Sequence, residues 1–135
     1  MTDEHQLSFG GYRRAVAWDV VHAGELEWEE RPGGRWAASV TDPAQMTESR
    51  ARMWRCAPHA RGRRHLDPDQ EEVFVPISGT LTALLGEPPE RFDVEPGGVV
   101  AVHPGTPMLL RNDTDDEVVF FAYGAPPVTG NAQFL

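Results

Sequence analysis

Short apolar runs alternate with polar residues along most of this 135-residue chain, and glycine and proline cut them apart. Glu25-Leu26-Glu27-Trp28-Glu29 alternates strictly, so Leu26 and Trp28 share one face of a strand and the glutamates the other. Further strands are predicted near 36–40, 49–57, 73–77, 80–85, 99–102, 108–111 and 117–123. Arg31-Pro32-Gly33-Gly34, Glu87-Pro88-Pro89-Glu90 and Glu95-Pro96-Gly97-Gly98 read as turns, because proline presets φ and glycine tolerates left-handed backbone. Pro76 inside a strand lacks a ladder donor and points to a bulge or an edge. No amphipathic helix of useful length is expected; 15–22 is the poorest candidate. Many short strands at regular spacing indicate an all-β barrel or sandwich. There is no internal repeat or low-complexity linker, so one domain over 1–135 is expected, with arms at 1–11 and 126–135.

Charge and composition narrow the partners. A net charge of -9 disfavours nucleic acid and anionic membranes. No apolar stretch approaches the ~20 residues of a membrane span, and the polar start Met1-Thr2-Asp3-Glu4-His5 is no signal peptide. The single cysteine, Cys56, excludes an internal disulfide and suits a reducing cytoplasm, the expected location. All 12 basic residues are arginine. Schiff-base chemistry and lysine general bases are thereby excluded. Arg50, Arg52, Arg55, Arg61, Arg63 and Arg64 cluster before residue 65. They read either as a solvated surface or as a clamp for a ligand carboxylate or phosphate.

Two segments carry the candidate chemistry. The first runs His65-Leu66-Asp67-Pro68-Asp69-Gln70-Glu71-Glu72-Val73-Phe74-Val75-Pro76-Ile77-Ser78-Gly79. The second runs Gly97-Gly98-Val99-Val100-Ala101-Val102-His103-Pro104-Gly105-Thr106-Pro107-Met108 and on to Asn112. Together they resemble the paired motifs of the cupin family of small β-barrels. His65, Glu72, Gly79 and Asn112 match motif positions, while Asp67 and Met108 stand where that family's second and third histidines belong. The resemblance implies a single antiparallel β-barrel of jelly-roll type, with the motif-bearing part at about 49–125. It also implies a homodimer paired through N-terminal strands, for which the Leu26/Trp28 segment is a candidate.

Residue chemistry leaves the function open. His65 and Asp67 are two apart on a strand and project together, and Glu72 follows a turn at 68–71. Imidazole with two carboxylates can ligate Fe, Mn, Ni or Zn, so His65, Asp67 and Glu72 are the candidate metal set. The plainer alternative makes both carboxylates turn residues and His65 a hydrogen-bonded side chain. Met108 is a soft ligand or a core filler. His103 is expected to point away from the pocket, and His59 and Cys56 to be packing or surface residues. Strand parity adds Arg52 and Trp54 on the face of Cys56, Phe74 on that of Glu72, and Leu110 on that of Met108. The last strand turns either Val119, Phe121 and Tyr123 or Val118, Phe120 and Ala122 inward. The expected ligand-binding set is Arg52, Trp54, His65, Glu72, Phe74, Met108 and Leu110, converging in one cavity. Three functions compete: a small-molecule binder without a tightly held metal; a metal-dependent oxygenase or isomerase using His65, Asp67 and Glu72; and a metal-free isomerase, cyclase or lyase with His65 as catalytic general acid/base.

Overall fold

The computed structural model describes residues 4–9, 12–127 and 130–135. Parts of the expected arms, residues 1–3, 10, 11, 128 and 129, lie outside the described residues. The chain is all-β. A hairpin of β1 (Glu4–Phe9) and β2 (Tyr12–Ala17) precedes a 3-10 turn at Ala23–Glu25. The next strands are β3 (Trp28–Arg31), β4 (Arg35–Ser39), β5 (Arg50–Cys56), β6 (His65–Leu66) and β7 (Glu71–Ser78). Then come β8 (Leu81–Leu85), β9 (Glu90–Val94), β10 (Val100–Val102), β11 (Met108–Arg111), β12 (Val118–Ala125) and β13 (Gln133–Phe134).

Every strand pair is antiparallel, and apart from the hairpin the strands form two sheets. One has the order β10-β7-β12-β5-β4-β3, the other β13-β6-β11-β8-β9. Neither closes on the other: the all-β antiparallel expectation holds as two open sheets sharing one core, without a closed barrel ladder. At the corner where β10 leads into β11, Pro104 and Pro107 lack the N–H that would carry a ladder across. No helix among the described residues is long and apolar enough to cross a membrane.

The local rules explain most of the departures from the sequence reading. The 15–22 segment holds the end of β2 and irregular chain, not a helix. The alternating 25–29 segment pairs as a strand only from Trp28, because Glu25 closes the 3-10 turn by accepting the His22 N–H at 3.2 Å. β9 was absent from the expected strands because its residues face solvent at a sheet edge and show no apolar period. At Pro76 the β7–β12 register shifts, with Val119 opposite Ser78 and Phe120 opposite Pro76, so Ile77 is the extra residue of a bulge.

Side chains from both sheets fill the interior. Trp54, Phe74 and Phe120 come from one sheet and Leu81, Ala83 and Met108 from the other. Phe120 stacks on Trp54 at 6.2 Å and meets Phe74 edge-on at 6.2 Å. These contacts settle the parity of β12: Val118, Phe120 and Ala122 are buried. The motif glycine, Gly79, has φ 78, and a Cβ there would stand 2.7 Å from the Glu117 carbonyl oxygen. Backbone sterics alone therefore require glycine where β7 turns toward β8.

Candidate functional site

The sheets part at one end to leave a cavity of about 270 Å³. His65 lies on β6 directly opposite Met108 on β11 and, on its other side, opposite Phe134 on β13. Glu72 reaches the same cavity from β7 in the facing sheet. Arg52, Trp54, Asp67, Phe74 and Leu110 also line it. All the site residues expected from the motifs and strand parity thus border one space, His65 and Met108 from neighbouring strands of one sheet and Glu72 from the other.

Sequence reasoning missed several lining residues. Arg50 is two residues before Arg52 and shares its face, so the same parity could have found it. Arg35 enters because β4 pairs with β5 in a register that sets it opposite Cys56. Arg63 stood in the arginine cluster without a strand to orient it. Phe134 carried no local signal. It reaches the cavity because the C-terminal segment returns to pair with β6. Cys56 lines the cavity as well, and burial pushes its thiol up to about 11, which keeps it protonated at neutral pH.

Polar contacts fix the state of each group. His65 donates from Nδ1 to the Arg63 carbonyl oxygen at 2.8 Å. That bond, rather than Asp67 or Glu72, orients the ring and makes Nε2 the acceptor nitrogen of the neutral imidazole. Asp67 Oδ1 accepts the N–H groups of Asp69 and Gln70, both at 2.9 Å, so this carboxylate holds the turn before β7. Glu72 is 8% exposed and lies 3.9 Å from the Arg50 guanidinium, which also donates to Gln70 Oε1 at 3.2 Å. Burial raises the Glu72 carboxyl above its ordinary value and outweighs the opposing pull of Arg50 and His65. Burial likewise lowers the guanidinium of Arg50. Both partners therefore lose more by desolvation than the pair returns.

A raised carboxyl stabilises the fold below its unfolded value of 4.5, and that stability is lost as the pH rises through the folded value. Glu72→Gln is therefore expected to melt higher than the parent at neutral pH. The difference should shrink as the pH falls and vanish well below 4.5, where Glu72 is protonated in both the folded and the unfolded states. Thermal melts of both proteins at several pH values check this.

Two further histidines lie outside the cavity. His103 is exposed, with Nδ1 3.2 Å from Glu71 Oε2, and does not line the cavity, in line with its expected outward direction. His59 is exposed and pairs with Asp115 at 2.7 Å.

A resident metal does not fit this arrangement. Among the described residues no group of three or more His, Cys, Asp or Glu side chains could hold a metal ion. His65, Asp67 and Glu72, the metal set expected from sequence, are thus not gathered for ligation. One Asp67 oxygen is occupied by the turn, Met108 contributes only a thioether, and Arg35, Arg50, Arg52 and Arg63 surround the space with positive charge.

The family profile described as Cupin domain matches residues 52–123, more than half of the chain. The chain belongs to the cupin superfamily. No curated protein matches this cupin in sequence. Solved structures resemble it in fold. The polyketide cyclase RemF from Streptomyces resistomycificus superposes with a TM-score of 0.75 at 16% identity, over 87% of this chain and 84% of that one. A sugar phosphate isomerase from a cupin superfamily, from Silicibacter pomeroyi, gives 0.69 at 20% identity over 78% and 74%. An oxalate decarboxylase from Lactobacillus farciminis gives 0.71 at 15% identity over 84% and 35%. A cyclase, an isomerase and a decarboxylase on one fold do not select a reaction for this cupin.

Proposed function

We propose that this cupin binds a small organic molecule in the cavity between its sheets and does so without a resident metal. The observation that carries the reading is the convergence of an apolar back wall, Trp54, Phe74, Phe120 and Met108, with a few polar side chains in one cavity. Pockets for small molecules have this make-up, and a volume of about 270 Å³ sits just under their common range of about 300–1,000 Å³. A ligand of modest size is implied.

Elemental analysis of protein purified without chelators tests the metal-free part. Metal well below one ion per chain is the expected result. A stoichiometric Fe, Mn, Ni or Zn ion would instead favour a metal-dependent enzyme, with His65 and Glu72 as its first candidates for ligands.

The hydrogen bond from His65 Nδ1 to the Arg63 carbonyl favours a second reading. It presets the imidazole as a base at Nε2, the requirement for a metal-free isomerase, cyclase or lyase. Under that reading His65→Gln retains ligand binding and abolishes turnover. Loss of neither returns His65 to a purely structural role.

We also propose a homodimer. The outer face of the six-stranded sheet carries Trp28, Trp36, Met53, Phe121 and Tyr123, and Trp36 and Tyr123 remain exposed. An apolar sheet face of this kind is a common protein-protein contact. Light scattering that gives a monomer mass would contradict the dimer and leave the cavity reading intact.

A further inference from the structure

We propose that the cavity's ligand is an organic oxyanion, a carboxylate or a phosphate monoester on a compact apolar body, and that Arg35, Arg52 and Arg63 hold its charged end. This rests on the small-molecule reading above and names the chemical class for that same site.

The charge census of the molecule carries the inference. Arg31, Arg55, Arg64, Arg91 and Arg111 do not line the cavity, and each holds a carboxylate. Arg50 lines it and is matched by Glu72. Among the described residues, the arginines with no carboxylate within ion-pair distance are Arg61, which is exposed and does not line the cavity, and Arg35, Arg52 and Arg63. Arg35, Arg52 and Arg63 border one cavity in a chain of net charge -9, where carboxylates outnumber guanidiniums. The remaining acids of the cavity do not neutralise them. Glu72 is committed to Arg50, and one Asp67 oxygen to its turn.

The three guanidiniums are held in place: Arg35 and Arg52 are partly buried, and Arg63, although exposed, lies over an aromatic ring. Arg35 and Arg52 lie 5.0 and 5.1 Å from the centroid of the same Trp54 ring. Arg35 is further fixed by its Nε–H on the Pro32 carbonyl at 3.0 Å, which leaves its terminal nitrogens to donate elsewhere. Arg63 lies 4.1 Å from the centroid of Phe134, at the side of the cavity where His65 stands. Stacked guanidiniums keep their N–H forks available, and such forks match carboxylate and phosphate geometry. Ordering them in advance removes part of the entropy lost when a ligand binds. Phe74, Phe120 and Met108 supply the apolar wall against which the ligand's body packs.

Calorimetric titration of the full-length protein with phenyl phosphate, benzoate, inorganic phosphate and benzyl alcohol tests the assignment. The expected result is that phenyl phosphate or benzoate binds at least about tenfold tighter than benzyl alcohol, a gap of about 1.4 kcal/mol. The stronger of those two distinguishes a phosphate from a carboxylate head group. Inorganic phosphate, lacking the apolar body, should bind more weakly than phenyl phosphate. Arg52→Met and, as an independent variant, Arg63→Met should each weaken the anion by about tenfold or more. Arg55→Met removes a paired arginine outside the cavity and should leave affinity unchanged. Benzyl alcohol binding as tightly as the anions would overturn the oxyanion assignment and leave the small-molecule reading standing. Anion binding untouched by both cavity variants would place the anion elsewhere and overturn the assignment too. If no probe binds, charged or neutral, the assignment and the cavity reading fall together.

Discussion

Replacing Arg52 with methionine is expected to make the ligand-free protein more stable. Arg52 is partly buried in the cavity wall, beside Arg50 and without an ion pair among the described residues. Burial, aided by repulsion from Arg50, lowers its guanidinium to about 10. A drop of this size corresponds to about 3 kcal/mol against the charged form. The contact with Trp54 returns about 1 kcal/mol. A methionine of similar length keeps the packing and discards the charge, so a net gain of about 1–2 kcal/mol is expected. For a domain of this size that is roughly 3–8 °C in melting temperature. The sign follows from linkage. Below pH 10 the guanidinium is charged in both the folded and the unfolded states, and its burial cost is fully present. The gain should therefore be constant through neutral pH and shrink only as the pH climbs through about 10. Calorimetric melts at pH 7 and in the alkaline range check both parts. A destabilised Arg52→Met protein would mean that the fold, and not a ligand, requires this charge.

The second large effect concerns Asn112, the last residue of the second motif. Its side chain is fully buried yet does not line the cavity. Nδ2 donates to the carbonyl oxygens of Ala57 at 3.0 Å and Asp116 at 2.7 Å, with a longer contact to Cys56 at 3.3 Å. Oδ1 accepts the Thr114 N–H at 2.9 Å and its hydroxyl at 2.7 Å. One amide thus ties the end of β11 to the loop after β5 and to the turn that opens β12. Asn112→Ala leaves several buried polar groups without partners, at about 1–3 kcal/mol for each one that water cannot reach. A loss of about 3 kcal/mol, roughly 10 °C in melting temperature, is expected. Among the fraction that remains folded, affinity for cavity ligands should be unchanged, because no contact of Asn112 faces the cavity. Denaturant titration gives the first quantity and calorimetry the second.

Asn112 also shows what a motif does and does not disclose. The paired motifs placed His65, Glu72 and Met108 around one cavity, and in the same pattern Gly79 and Asn112 serve backbone geometry alone. Strand parity found Arg52 and Trp54 because alternation on β5 is a local property of seven consecutive residues. It left β12 ambiguous, since both its faces are apolar, and only packing against Trp54 and Phe74 decided between them. Arg35, Arg63 and Phe134 were out of reach. Their positions depend on pairings between distant segments, β4 with β5 and β13 with β6, that no local pattern encodes. Whether the two sheets close into a barrel was not legible for a related reason: alternation reports which residues face inward, not whether edge strands meet. Among the described residues no cluster of three metal ligands forms, and Asp67 shows one reason. Its spacing from His65 is right for a shared face, but an aspartate before proline also suits a turn, and here its side chain holds that turn.

The central claim is that the space between the sheets holds a small anionic molecule on arginines rather than on a metal. A crystal structure of the protein grown with phenyl phosphate addresses it most directly. The expected map shows the phosphate between Arg35, Arg52 and Arg63 and the ring against Phe74 and Phe120, with no ion bridging His65 and Glu72. A metal ion on His65 and Glu72, or a probe bound only outside the cavity, would contradict it.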